Sequence, residues 1–193
     1  MKWVVAAGFT FSNMAPAEMV LARHVEYLRA DSKLCKLFGG SAEDPAKIRC
    51  CPFGKSLESG NPPMLYVTLP SFDRQPAAGV FLETVTIRDV IRFHSSDPTS
   101  DEVLWEPGLI TVASHLIGVV TAAGARQLNY TTIGGTVVGL ASRVDLTEIS
   151  VAQVTSPQTG EGINLFDLSI DFRYGIAVRV GDPRIWPLVT AGA

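Results

Sequence analysis

The chain has 193 residues, 47% of them apolar and only 18% charged, with a net charge of −3. That is room for one α/β or α+β domain with a real core, and the mild acidity excludes a broad basic footprint for DNA or RNA. Free globular monomers average about 25% charged residues, so the deficit points either to surface hidden against a partner or to a compact, apolar-rich monomer. The three cysteines, Cys35, Cys50 and Cys51, are an odd number. Sequence neighbours such as Cys50 and Cys51 rarely bridge each other, so a reducing compartment, or no dependence on disulfides, is expected.

Lys2 and the apolar run up to Phe11 faintly imitate a secretory signal. Gly8 and Thr10 interrupt that run, and the expectation is a strand or arm over 1–13 that docks on something. No stretch reaches the roughly 18 apolar residues of a membrane span. Asn13 can cap a helix and Pro16 suits its first turn. Ala17, Leu21, Val25 and Leu28 then form one apolar stripe, with Arg23, Glu26 and Arg29 on the wet side. Asp31 or Ser32 caps a second, short helix carrying Leu34, Leu37 and Phe38, and Gly39-Gly40 ends it.

Residues 41–63 are rich in loop formers, with a short strand expected over 48–51. A strand is expected over 64–69, closed by Pro70, and a turn or loop over 71–80. The clearest pattern follows, LETVTIRDVIR over 82–92 with Phe93 and His94 after it. Val85, Ile87, Ile91 and Phe93 point one way, while Thr84, Thr86, Arg88, Arg92 and His94 point the other. Period two over such a length predicts a long half-buried strand.

A loop is expected over 95–100, then a helix over 101–123 whose first turn Pro107 and Gly108 interrupt. Leu109, Val112, Ala113, Leu116, Ile117 and Val120 make it apolar over a broad arc, as if packed under a sheet. Residues 129–139 are β-branched and Gly-rich, and 145–155 alternate loosely. SPQTGEG at 156–162 reads as a loop tip. In the final strand Phe166, Leu168, Ile170, Phe172, Tyr174, Ile176 and Val178 face inward, and Asp167, Ser169, Asp171 and Arg173 face outward. A Pro-bearing extended tail covers 181–193. The element order predicts an α+β fold: a mixed, mainly antiparallel sheet with two main helices packed on one face.

No reactive constellation stands out. His24, His94 and His115 lack the paired short spacing of zinc ligands. Cys51 as a nucleophile needs a positioned base. Asp167 and Asp171 sit about 13 Å apart on a strand, too far for one acid–base dyad. Gly54-Lys55-Ser56 lacks the glycine five positions earlier that a phosphate loop requires; Arg49 stands there. Neither catalytic residues, metal nor cofactor are expected. Arg88 and Arg92 share a polar strand face where Asp167 and Asp171 could meet them across the sheet. That face is read either as a subunit interface or lumen lining, or as ordinary exposed sheet.

The segments LCKLFGG, MLYVTLP, ETVTIRDVIRFHS, ITVASHLIGVV and LFDLSIDFRYGIAV, in this order after an amphipathic helix at 14–30, resemble the tail-terminator or tail-completion family of long-tailed bacteriophages. The likeness covers most of residues 14–180 and lies in element order and flavour. It implies a structural virion protein assembled in the host cytoplasm: a homo-oligomeric ring, typically a hexamer. Such a ring caps the tail tube protein, offers its other face to the head–tail connector or stopper, and lets DNA pass through the lumen without sequence-specific binding. It implies no enzymatic activity and no membrane partner.

On that reading Arg88, Arg92, Asp167, Asp171 and Arg173 are candidates for the subunit interface or lumen. Loops carry binding, so Phe72, Asp73 and Arg74, with Gln158, Thr159 and Glu161, are candidates for tube or connector contacts. The apolar arm and the tail extend beyond the family pattern. They imply either extra inter-subunit arms or another neck, connector or tail-tube component on the same fold. A small-molecule-binding or enzymatic α+β domain is the alternative of a different class.

Overall fold

The computed structural model describes residues 16–39, 43–51, 63–77, 80–94, 109–122, 125–131, 137–155 and 162–179. The arm at 1–13 with Asn13, Gly40, the 95–100 loop, the first turns expected at 101–108, the 156–161 tip and the tail lie outside them.

The helices follow their apolar stripes. Helix α1 (Pro16–Ala30) buries Ala17, Leu21, Val25 and Leu28, and also Met19, Val20, Ala22 and His24, so its covered face is wider than the stripe. Each fully buried aliphatic side chain contributes about 1.5–3 kcal/mol. Helix α2 (Ser32–Gly39) opens on Asp31, whose Oδ1 accepts from the Leu34 amide at 2.7 Å. It stops at Gly39, where a Cβ would fall 2.7 Å from the Asp44 Cβ. Helix α3 (Leu109–Thr121) buries Val112, Ala113, Leu116 and Val120 and packs against α1 and α2.

Strands β1 (Ile48–Cys51), β2 (Met64–Ala77), β3 (Val80–His94), β6 (Arg143–Thr155) and β7 (Gly162–Arg179) form one sheet in the order β1-β2-β3-β7-β6. The short strands β4 (Asn129–Thr131) and β5 (Val137–Gly139) pair separately. The β1–β2 contact is parallel and the other pairs in the main sheet are antiparallel, so the fold is the expected α+β. One sheet face carries Leu65, Val67, Val85, Ile87, Ile91, Ile170, Phe172 and Tyr174 against the three helices. The other holds a smaller cluster of Cys51, Met64, Tyr66 and Val90.

One expectation is corrected. Residues 71–77 are strand, paired with β3 from Ser71↔Thr86 to Ala77↔Val80. Pro70 does not close β2. It sits where the register shifts between Thr68 and Ser71, and the ladder resumes beyond it. A bulge at an edge accommodates a residue without an N–H, and β1 pairs only as far as Thr68.

Candidate interaction surface

The alternation of β3 brings the polar face together as a ladder. Arg88 stands opposite Asp171 and Arg92 opposite Asp167 in the β3–β7 register. Both pairs are bidentate. Arg88 Nε and Nη2 donate to Asp171 at 2.7 and 2.8 Å, and Arg92 Nε and Nη2 to Asp167 at 2.7 Å each. These hydrogen bonds hold both guanidinium groups further into their charged form. The Arg92 guanidinium also lies 5.3 Å from the centre of the Tyr66 ring, and burial pushes the Tyr66 phenol up. The inner pair is the more enclosed: side-chain exposure is 10% for Arg92 and 39% for Arg88. Arg173 lies on the same face, opposite Thr86 and Asp145, and is exposed. Each arginine thus uses its Nε and one Nη inside the chain, and the ladder fastens β3 to β7.

The other parity of β3 holds what alternation alone obscured. Asp89 shares a face with Ile87 and Ile91, and Glu83 with Val85, so two acids point into the helix-covered side. Asp89 meets His24 of α1, with Nε2 at 3.0 and 2.9 Å from the two carboxylate oxygens. The His24 Nδ1 lies 2.7 Å from the Tyr174 hydroxyl. Burial, then the charge of Asp89, lifts the Tyr174 phenol well above its ordinary range, so it stays protonated and donates. With Asp89 ionised, Nε2–H donates to the carboxylate and Nδ1 accepts from Tyr174. The trio is sealed in the core, so it pins α1 to β3 and β7. An acid at an apolar-parity position was the available signal.

Glu83 accepts from Arg74 Nε at 2.6 Å, which ties the far end of the β2–β3 hairpin together. Phe72, Asp73 and Arg74 therefore belong to the exposed part of strand β2, and only their assignment to a loop falls. Gln158, Thr159 and Glu161 lie outside the described residues.

The largest exposed apolar feature in the sheet is on β6. Leu146, Ile149 and Val151 are 42%, 51% and 58% exposed. Their partners Phe172, Ile170 and Leu168 in β7 lie in the core, so the three residues share the helix-bearing face but project beyond its cover. Among the described residues β6 pairs only with β7, leaving its outer backbone edge open. Its sequence, RVDLTEISVAQVT, holds no proline, lysine or glycine, and its pairing with β7 shifts register between Leu146 and Glu148 and between Gln153 and Thr155.

The remaining chemistry is dispersed. His115 of α3 bonds Asp31, between α1 and α2, at 3.0 Å and takes no part in the His24 trio. Cys35 donates from Sγ to the Arg29 carbonyl at 3.3 Å. Burial, then the neighbouring Cys51, pushes the Cys50 thiol up to about 11. Among the described residues no three His, Cys, Asp or Glu side chains cluster as metal ligands. No helix among them is long and apolar enough to cross a membrane. No protein-family model matches the chain, and comparison with curated proteins gives no match.

Proposed function

We propose that this chain is a structural subunit that acts by forming a homo-oligomeric ring, of the kind that terminates a phage tail tube and joins it to the head–neck connector. One observation carries the reading: among the described residues strand β6 has no strand neighbour on its outer side, and Leu146, Ile149 and Val151 stand exposed along it. Soluble chains protect such edges unless a partner uses them. The low charged fraction points the same way. Ring assembly also gives the Arg–Asp ladder a task, because a rigid five-stranded sheet presents its edges at a constant angle to each neighbour.

Mass photometry and negative-stain imaging of the purified chain test this. A closed ring of identical subunits is expected, and its placement between tube and connector in particles is expected from labelled virions. A stable monomer at micromolar concentration overturns the proposal.

A further inference from the structure

Among the described residues the main sheet has a second edge without a strand neighbour, at its opposite end. Strand β1 covers β2 only from Leu65 to Thr68. Beyond Pro70, residues Ser71 to Gln75 are exposed and, among the described residues, pair only with β3. Pro70 and Pro76 bracket this segment, and neither can donate to a neighbouring strand. They limit any added pairing to the residues between them. Phe72 is 54% exposed. It stands opposite Val85, a core residue, so it lies on the helix-bearing face.

Both edges therefore present uncovered apolar side chains on the same face of one sheet: Phe72 at one end, Leu146, Ile149 and Val151 at the other. The two edges differ, so like does not need to meet like. We propose that β6 of one copy pairs with the Ser71–Gln75 edge of the next. The sheet then continues from subunit to subunit, and Phe72 completes the apolar layer left open over Leu146, Ile149 and Val151. The occupant of each edge is a second copy of this chain. Such a contact is heterologous, and heterologous contacts generate rings when the rotation closes. The assignment rests on the ring reading above and adds which surfaces meet.

Cysteine pairing tests it. Phe72→Cys and Ile149→Cys are made singly and together, with Leu146→Cys and Val151→Cys scanned for register. The native thiols are poor competitors, since Cys35 and Cys51 are buried and the Cys50 thiol is pushed up to about 11. After mild oxidation, each single variant is expected to stay uncross-linked. A mixture of the Phe72→Cys chain with one β6 variant is expected to give a dimer band on a non-reducing gel. The doubly substituted chain is expected to give a ladder of multimers. Cross-linking of a β6 variant to itself overturns the edge assignment, as does an intact oligomer that no pair cross-links; both leave the ring reading standing. A wild-type chain that is monomeric by mass photometry sinks the ring and the edge pairing together.

Discussion

The His24 Nε2 lies 2.9 Å from Asp89 Oδ2, with the two side chains 1% and 0% exposed to solvent. A carboxylate so enclosed is tolerated only because the imidazole meets it, and the imidazole is completed in turn by Tyr174. His24→Ala leaves Asp89 buried without its partner and is expected to destabilise the fold by about 3–5 kcal/mol. Tyr174→Phe removes one hydrogen bond and should cost about 1–1.5 kcal/mol. Replacing His24 and Asp89 together by leucine should cost much less than the sum of the single changes, because no orphaned charge remains. Urea midpoints at constant m-value measure these, with His24→Leu and Asp89→Leu alone completing the cycle; additive losses would show that the pair is not coupled.

Much of this fold was legible because its signals are local. The four-residue rhythm of α1, the alternation of β3 and that of β7 each follow from one face being buried. The two Arg–Asp pairs were legible for the same reason, since residues on one face of adjacent strands meet whenever the register allows. Asp89 was not. Its meaning depends on a histidine 65 positions away on another element, and no local pattern encodes that. The strand at 71–77 was hidden by Pro70, which reads as a breaker until the strand proves to be an edge where a missing N–H costs little. The apolar residues of β6 stood in a segment, 145–155, that alternates only loosely. Only the extent of the helical layer shows that nothing among the described helices covers them.

The two ladder pairs should differ in worth. Arg92 and Asp167 are mostly enclosed, and Arg88 is more than one-third exposed. Arg92→Ala is expected to destabilise by about 2–3 kcal/mol, somewhat less than the about 3–5 kcal/mol for breaking a fully buried pair, because both side chains keep some exposure. Arg88→Ala should cost about 1 kcal/mol once solvent screening is counted. Charge reversal at Arg92 alone should be worse still, with Arg92→Asp plus Asp167→Arg recovering part of the loss. Thermal unfolding of the four variants checks the order; equal losses at the two arginines would count against the burial argument.

The contact between α2 and α3 carries a pH dependence. Burial raises the Asp31 carboxyl, but hydrogen bonds from His115 and from the Leu34 amide outweigh it, and the group ends below its ordinary value of 3.8. A depressed carboxyl contributes stability that is fully present above the unfolded value and disappears as pH falls through the folded one. Acid should therefore loosen this junction below about pH 4, where carboxyl groups in unfolded chains begin to protonate. Asp31→Asn should lower stability at neutral pH and flatten the acid side of the stability curve. An unchanged acid slope in that variant would assign the titration elsewhere.

Gly118 sits in the last turn of α3, exposed, and a Cβ placed there meets no heavy atom within 4 Å. Glycine inside a helix carries an entropic penalty of about 0.5–1 kcal/mol relative to alanine, mostly through the freedom of the unfolded chain. Neither a turn nor a close approach requires glycine here, unlike at Gly39, where the Asp44 backbone nitrogen would lie 3.0 Å from an added Cβ. Gly118→Ala is therefore expected to raise the unfolding free energy by about 0.5–1 kcal/mol, and Gly39→Ala to lower it. If Gly118→Ala destabilises the isolated chain, the open space beside α3 is filled by some part of the protein. If it leaves the chain more stable but weakens assembly, that space belongs to a neighbouring subunit.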